Sequence, residues 1–192
     1  MPNSARTLAT NNGARLCLYD DRQLAAVLES MAARLASLLP AGGDIVLVGV
    51  LRRGAPLAGL LTEPLGRLGI RCAERFDLEV KRYADDLSLL YPQTMLREND
   101  VASGANLAGK TVVVVDDVLY RGHSLLRVVQ YLAARGAAVI RSAVLVDRGV
   151  GVLPVHADVI GVRLQVASGS IIEVQVPPYE TDFRIELVAA GG

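Results

Sequence analysis

Apolar residues recur along the chain with two different spacings, one typical of helices and one typical of buried strands. From Leu24 to Leu39 they recur at helical spacing, and Asp20 and Gln23 are placed ahead of them as a capping-box variant. Pro40 and two following glycines end that helix. The run 45–51 is unbroken, apolar and rich in β-branched residues, which predicts a strand covered on both faces.

The same two patterns alternate through the rest of the sequence. A second helix is predicted after residue 54, with Pro56 in its first turn, a stop at Gly69 and a kink or early end at Pro64. Further strands are predicted at 72–80, 111–115 and 139–146. The last two of these strands are separated by a turn at 116–122 and a helix over about 124–135, which Gly136 closes. Shorter strand-like segments follow at 159–164 and 171–176.

This order of elements predicts an α/β fold. Strand, turn, helix and strand in succession form a right-handed βαβ unit, so we expect a parallel twisted sheet with helices on both faces. We expect one domain over 1–192, with a loose N-terminal arm at 1–15 and a small hood at about 147–192. The segment 81–110 has little periodicity, and a loop of that length is usually mobile or functional.

Composition excludes several classes of protein. The chain of 192 residues is 52% hydrophobic and 21% charged, which is enough apolar surface for a substantial core. No apolar run approaches the roughly 18 residues of a membrane-spanning helix, and the first twenty residues lack the apolar core of a signal peptide. We therefore expect a cytoplasmic protein with no membrane partner. Cys17 and Cys72 show neither close pairing nor metal-ligand spacing.

The turn after the strand at 111–115 has the chemistry of a sugar-phosphate site. Gly122 lets the backbone approach an anion, Ser124 can donate a hydroxyl, and the helix that follows directs its positive end at the ligand. Asp116 and Asp117 would repel a phosphate directly but can accept hydrogen bonds from neighbouring sugar hydroxyls. Together these features favour a ribose 5-phosphate.

Four segments, in the same order, resemble the type I phosphoribosyltransferases. VVVVDDVLYRGHS resembles their phosphoribosyl-diphosphate signature, and LVGVLRRGAPLAGLL resembles the pyrophosphate-loop region. RYADDLS is similar to the entry of the flexible loop, and VLVDRGVGVLPVHADVIG to the stretch after the fourth core strand. The Asp-Asp-Val-Leu-Tyr form is most similar to the bifunctional pyrimidine operon attenuator and uracil phosphoribosyltransferase family. The resemblance implies the type I phosphoribosyltransferase fold, a hood and a flexible active-site loop over 81–110.

The resemblance also implies roles for individual residues. Asp116 and Asp117 would hold the ribose hydroxyls and, through water and substrate, Mg²⁺, while Arg53 would act where charge develops on the leaving pyrophosphate. The other implied contacts are with substrate. They are Arg52 and Gly54 at the pyrophosphate, Val118, Leu119, Tyr120, Arg121, Gly122, His123 and Ser124 around the 5-phosphate, Arg82 in the loop, and Asp147 and Arg148 beside the base.

Two segments depart from the family pattern. The family has Thr-Gly-Arg-Thr where this chain has Arg121, Gly122, His123 and Ser124, so the glycine and a terminal hydroxyl survive while the other side chains differ. Arg121 and His123 add cationic groups near the expected phosphate. An Arg-Gly-His run is replaced by Arg148, Gly149 and Val150, which leaves the identity of the base open.

The function predicted from the sequence is transfer of a phosphoribosyl group from phosphoribosyl diphosphate to a nucleobase, with uracil giving UMP. One alternative is a nucleotide-sensing regulator that binds leader mRNA. The 20 basic and 20 acidic residues cancel, however, and the basic ones are dispersed, which argues for weak RNA binding. A second alternative is a purine phosphoribosyltransferase. The family further implies a homodimer or higher homo-oligomer.

Overall fold

The computed structural model describes residues 15–40, 44–81, 95–98, 105–167 and 169–189. The strands are β1 (Arg15–Tyr19), β2 (Asp44–Leu51), β3 (Arg71–Lys81), β4 (Met95–Glu98), β5 (Thr111–Leu119), β6 (Val139–Asp147), β7 (Val159–Arg163), β8 (Ile171–Gln175) and β9 (Arg184–Val188). The helices are α1 (Asp21–Leu38), α2 (Gly54–Arg67) and α3 (His123–Ala134).

The larger sheet has the order β4-β3-β2-β5-β6-β7, and its strands are parallel except for β4, which pairs antiparallel with β3. Helices α1 and α2 cover one face, while α3 covers the other. Along β2, Ile45 and Leu47 enter the core under α1 and α2, whereas Val46 and Val48 enter the core under α3. The unbroken apolar run therefore belongs to a strand buried on both faces, and the predicted α/β architecture is confirmed.

The hood is a separate three-stranded antiparallel sheet with the order β1-β9-β8. Val174 and Ile185 on its inner face are fully buried and join the core that contains α1. Two expectations need correction here. Residues 159–164 were expected in the hood, yet β7 extends the main sheet, with Ala143 opposite Val159. Arg15 was assigned to a loose arm, yet it begins the strand β1 that completes the hood.

Local sequence features explain where the helices begin. Asp20 accepts a hydrogen bond from the Gln23 backbone N–H at 2.9 Å, and the Gln23 side chain accepts one from the Asp20 N–H at 3.0 Å. The predicted capping box is thus present. The expected early end of α2 at Pro64 is wrong, because the helix continues to Arg67. Pro64 is buried and stands in the final turn, where the loss of one N–H donor interrupts little of the helix.

Two further boundaries differ from the sequence prediction. Strand β5 continues through Asp116 and Asp117 to Leu119, because its pairing with β6 persists to Leu119 opposite Asp147. The turn is therefore confined to 120–122 rather than 116–122. Within the predicted loop 81–110, β4 pairs with the end of β3. Most of that segment lies outside the described residues.

Candidate active site

A cleft of about 720 Å³ opens where the carboxyl ends of the parallel strands meet the hood. This is the edge at which ligands bind in open α/β sheets. Its lining comes from the main sheet, the start of α3 and the hood: Val50, Leu51, Arg53, Val80, Asp116, Asp117, Val118, Tyr120, Ser124, Arg148, Ser170, Ile171, Ile172, Glu173 and Val174.

The acid pair lies on the last part of β5, and both side chains are partly buried. One oxygen of Asp116 accepts a hydrogen bond from the Asp117 backbone N–H at 2.9 Å. One oxygen of Asp117 accepts the Val118 N–H at the same distance. Each carboxylate is thereby oriented by the chain itself, and both line the cleft as acceptors for hydroxyl groups or a hard cation.

The turn into α3 forms a cup for an anion. Gly122 precedes the helix with a φ of 88°, the left-handed conformation that favours glycine. The helix dipole places partial positive charge at the N–H groups of the first helical turn. Ser124 lines the cleft at this point, whereas the side chains of Arg121 and His123 are exposed. A helix N-terminus with this backbone geometry is suited to binding an anion.

Tyr120 and Arg148 form the wall next to this cup. The guanidinium carbon of Arg148 lies 5.7 Å from the centre of the Tyr120 ring, and that of Arg121 lies 5.4 Å from it. Arg148 is only 9% exposed, and its buried Nε has no hydrogen-bond partner within the described part of the chain. Arg148 also lines the cleft, so its guanidinium brings positive charge to this wall.

Arg52, Arg53 and Gly54 form the tight bend between β2 and α2, which includes a cis peptide bond between Leu51 and Arg52. A Cβ on Gly54 would lie 2.4 Å from the Val115 carbonyl oxygen and 3.0 Å from the Asp116 Cα. Glycine at this position therefore lets the start of α2 press against β5 beside the acid pair. Arg53 consequently lines the same cleft as Asp116.

Both arginines also contact the loop between β8 and β9. Arg53 Nη2 lies 2.6 Å from Glu180 Oε1, and the Arg52 guanidinium carbon lies 5.0 Å from the centre of the Tyr179 ring. The hydrogen bond to Glu180 raises the pKa of Arg53 above its ordinary value, and the same bond lowers the pKa of Glu180. Both groups are therefore held in their charged forms at neutral pH.

The structure brings together part of the residue set predicted from the sequence. Arg53, Asp116, Asp117, Val118, Tyr120, Ser124 and Arg148 line the cleft. The remaining described residues of the set support this lining or flank it: Arg52, Gly54, Leu119, Arg121, Gly122, His123 and Asp147. Leu119 is buried in the core under α3, and Asp147 accepts the Gly149 N–H and lies 3.7 Å from Arg163. Arg82 lies outside the described residues.

Sequence reasoning missed the contribution of the hood. Residues 170–174 form one wall of the cleft, and Glu180 contacts Arg53 across 127 positions of sequence. No local motif identifies these residues, because their position depends on how the hood docks onto the main sheet.

The donor set fits the Mg²⁺ that the fold family implies. Asp116 and Asp117 supply carboxylate oxygens, which are the ligands Mg²⁺ prefers. Within the described ranges, no group of three or more His, Cys, Asp or Glu side chains could hold a metal on its own. The arrangement suits an ion bound by one or two carboxylates together with water and substrate phosphates.

Comparison with known proteins places the chain in a family. Residues 17–181 match the phosphoribosyl transferase domain, and the chain belongs to that family. Within it, the chain is 30% identical to the bifunctional protein PyrR of Clostridium acetobutylicum over 171 residues, covering 88% of this chain and 95% of that protein. It is 36% identical to PyrR of Gloeothece citriformis over 160 residues, covering 81% and 89%. The resemblance found in the sequence is confirmed.

Solved structures confirm the fold. Hypoxanthine phosphoribosyltransferase of Trypanosoma cruzi superposes with a TM-score of 0.71 at 17% identity, covering 93% of this chain and 96% of that one. The enzyme of the same name from Staphylococcus aureus gives a TM-score of 0.68 at 16% identity, covering 88% and 86%. The type I phosphoribosyltransferase fold is thus established. None of the described helices has both the length and the apolarity to cross a membrane.

Proposed function

We propose that this phosphoribosyltransferase transfers the 5-phosphoribosyl group from phosphoribosyl diphosphate to uracil and releases pyrophosphate. The observation that carries the proposal is the convergence of three groups on one cleft. These are the glycine cup at the start of α3, the acid pair on β5, and Arg53 at the start of α2. Similarity to the PyrR proteins favours a pyrimidine base.

The arrangement suggests a pose for the sugar. The 5-phosphate binds the N–H groups after Gly122, with Ser124 as a hydroxyl donor, because an anion is stabilised at a helix N-terminus. The two ribose hydroxyls donate to Asp116 and Asp117. The diphosphate then extends toward Arg53, which is protonated at neutral pH and is paired with Glu180.

The reaction breaks the bond between the anomeric carbon and the diphosphate oxygen, which leaves with the electron pair. N1 of uracil forms the new bond, and its proton passes to a phosphate oxygen of the departing diphosphate. Positive charge develops on the sugar and negative charge on the leaving group, so Arg53 stabilises the departing diphosphate and the acid pair stabilises the ring. Asp116 and Asp117 would hold Mg²⁺, which would supply further neutralisation of the phosphates. Arg148 lines the cleft beside the hood residues Ile171 and Ile172, and its guanidinium donates a hydrogen bond to a carbonyl oxygen of the base.

Base specificity is the first test. The protein is incubated with phosphoribosyl diphosphate, Mg²⁺ and, in separate reactions, labelled uracil, hypoxanthine, guanine or adenine, and the nucleotide is quantified. We expect UMP formation with a kcat/KM for uracil well above that for the purines. A higher kcat/KM for a purine would show that the purine, and not uracil, is the substrate base. No nucleotide from any base at saturating substrates would contradict transferase activity.

A regulatory RNA-binding function is the second candidate, because the similar PyrR proteins are named bifunctional. Charge pairing in the structure argues against strong binding, since phosphate neutralisation supplies most nucleic-acid affinity. Many arginines are already paired with carboxylates: Arg15, Arg53, Arg67, Arg71, Arg75, Arg141, Arg163 and Arg184. A sequence-specific gel shift with pyrimidine-gene leader RNA that responds to UMP would favour the regulator.

Self-association is also part of the proposal. Leu16 and Val152 are 59% and 62% exposed, and association between copies would remove apolar side chains of this kind from water. Light scattering coupled to size exclusion is expected to give the mass of a dimer or higher oligomer, and a monomer mass at micromolar concentration would contradict it.

A further inference from the structure

The loop between β8 and β9 holds the arginine that faces the diphosphate subsite. Glu180 Oε1 accepts hydrogen bonds from Arg53 Nη2 at 2.6 Å and from Arg53 Nε at 3.2 Å. A guanidinium has two edges that can each bind two oxygens. Glu180 occupies the Nε and Nη2 edge, so the edge formed by Nη1 and Nη2 remains for another anion.

Glu180 is itself fixed to the hood. Its second carboxylate oxygen accepts the Val176 backbone N–H at 2.9 Å, and its own N–H donates to the Val176 carbonyl at 3.3 Å. Val176 is fully buried in the core shared by the hood and the main sheet. The Glu180 side chain is only 22% exposed, so its carboxylate is a partly buried anchor rather than a solvated surface charge.

Arg53 is held at its backbone end as well. The next residue, Gly54, is packed against β5, and the Arg53 carbonyl accepts the Leu57 N–H at 3.3 Å. Between this fixed backbone and the guanidinium lies a flexible side chain. Without a partner such a side chain samples many rotamers, and a ligand must order it on binding. The contact with Glu180 orders the side chain before any ligand arrives.

We propose that Glu180 is a positioning residue for Arg53, which it holds with one guanidinium edge directed at the diphosphate of phosphoribosyl diphosphate. The inference rests on the proposed function, because it assigns the diphosphate to Arg53. Glu180 does not touch the substrate and acts through Arg53. The adjacent contact of Arg52 with Tyr179 attaches the same loop to the same bend.

The opposite effect is also conceivable on electrostatic grounds, since a carboxylate next to a diphosphate site repels the ligand. If repulsion dominated, Glu180 would compete with the diphosphate for Arg53, and its removal would tighten binding. The fork geometry favours positioning, because Glu180 uses one edge of the guanidinium and leaves the second edge available. Removal of Glu180 therefore weakens ligand binding if positioning dominates and tightens it if repulsion dominates.

The test is calorimetric titration of pyrophosphate and of phosphoribosyl diphosphate, each with Mg²⁺, into the full-length protein and its variants. We expect Glu180→Ala to weaken binding of both ligands roughly 5- to 20-fold because Arg53 loses its ordered position. Glu180→Gln fills the same space but has one acceptor oxygen where Glu180 has two. We therefore expect it to weaken binding of both ligands, but less than Glu180→Ala does. Asp182→Asn removes an equal charge two residues away, where the acid pairs with Arg184, and is expected to leave binding unchanged.

A double-variant comparison separates positioning from general damage to the hood. If Glu180 acts through Arg53, Arg53→Ala and the Arg53→Ala, Glu180→Ala double variant bind the ligands equally. In the transfer assay, KM for phosphoribosyl diphosphate should rise while KM for uracil stays constant. A disordered hood would raise the KM for phosphoribosyl diphosphate and the KM for uracil, because hood residues 170–174 line the cleft.

The outcomes also distinguish the inference from the proposed function. If the wild-type protein binds neither ligand, the proposed function fails. If the wild type binds both and Glu180→Ala binds them equally well or more tightly, the positioning role is overturned while the proposed function stands.

Discussion

Replacing Gly54 by alanine tests the close contact between α2 and β5 that brings Arg53 to the acid pair. The added Cβ would lie 2.4 Å from the Val115 carbonyl oxygen, whereas ordinary contact begins at about 3.4 Å. The start of the helix must therefore withdraw by roughly 1 Å. The obstructing atoms belong to the backbone of a central strand, so they cannot move aside as a flexible side chain would.

Two consequences of that shift can be given magnitudes. Overpacking a well-packed core destabilises a protein by about 1–3 kcal/mol, and the better helix propensity of alanine offsets at most about 1 kcal/mol. For a chain of this size we expect Tm to fall by about 2–4 °C for each kcal/mol of net destabilisation. Misplacing a catalytic group by about 1 Å lowers turnover on the order of 100-fold, so kcat/KM should fall far more than stability.

Gly66→Ala is the matched control. Gly66 lies in the same helix, is exposed, and has nothing within 4 Å of its added Cβ. Alanine there should stabilise the helix by up to about 1 kcal/mol and leave kcat/KM unchanged. Thermal unfolding gives Tm and steady-state kinetics gives kcat/KM for both variants, and each is compared with the wild-type value. A Gly54→Ala protein with wild-type Tm and kcat/KM would refute the claim that this contact sets the geometry.

Three further predictions concern the cup, the core and the half-buried acid Asp77. Gly122→Ala forces a side chain into φ near 88° and should lower the free energy of unfolding by about 1–2 kcal/mol while weakening phosphoribosyl diphosphate binding; unchanged affinity would contradict the cup. Leu61→Ala, at a fully buried position, should lower the free energy of unfolding by about 2–5 kcal/mol in urea, and a smaller loss would indicate that the core collapses around the cavity. Burial raises the pKa of Asp77, whose buried Oδ1 has no hydrogen-bond partner among the described residues. Its stability contribution is therefore complete below its unfolded pKa and lost as pH rises through the folded pKa, so Asp77→Asn should raise Tm at pH 7 but not near pH 3. A lower Tm at pH 7 would show that the carboxylate is stabilising instead.

The sequence predicted the parts of the molecule that depend on local chemistry. The capping box at Asp20 and Gln23 and the strand at residues 45–51 follow from short-range patterns, and the structure contains both of them. The acid pair was also recognisable, although it lies on β5 rather than in a turn because pairing with β6 extends that strand.

The parts that could not be predicted depend on packing between distant segments. The short apolar segment at 159–164 has no local feature that distinguishes a hood strand from an edge strand of the main sheet. Arg15 joins the hood only because β1 pairs with β9 near the other end of the chain. Glu180 reaches Arg53 through the same long-range docking, so the sequence around this acid gives no sign of the contact.

The most direct measurement of the central claim is calorimetric binding of phosphoribosyl diphosphate in the presence of Mg²⁺ to the wild-type protein and to the Asp116→Ala, Asp117→Ala double variant. The geometry of the cup and the acid pair predicts saturable 1:1 binding by the wild type and a large loss of affinity in the variant. Absence of binding by the wild type, or equal binding by both proteins, would contradict the claim.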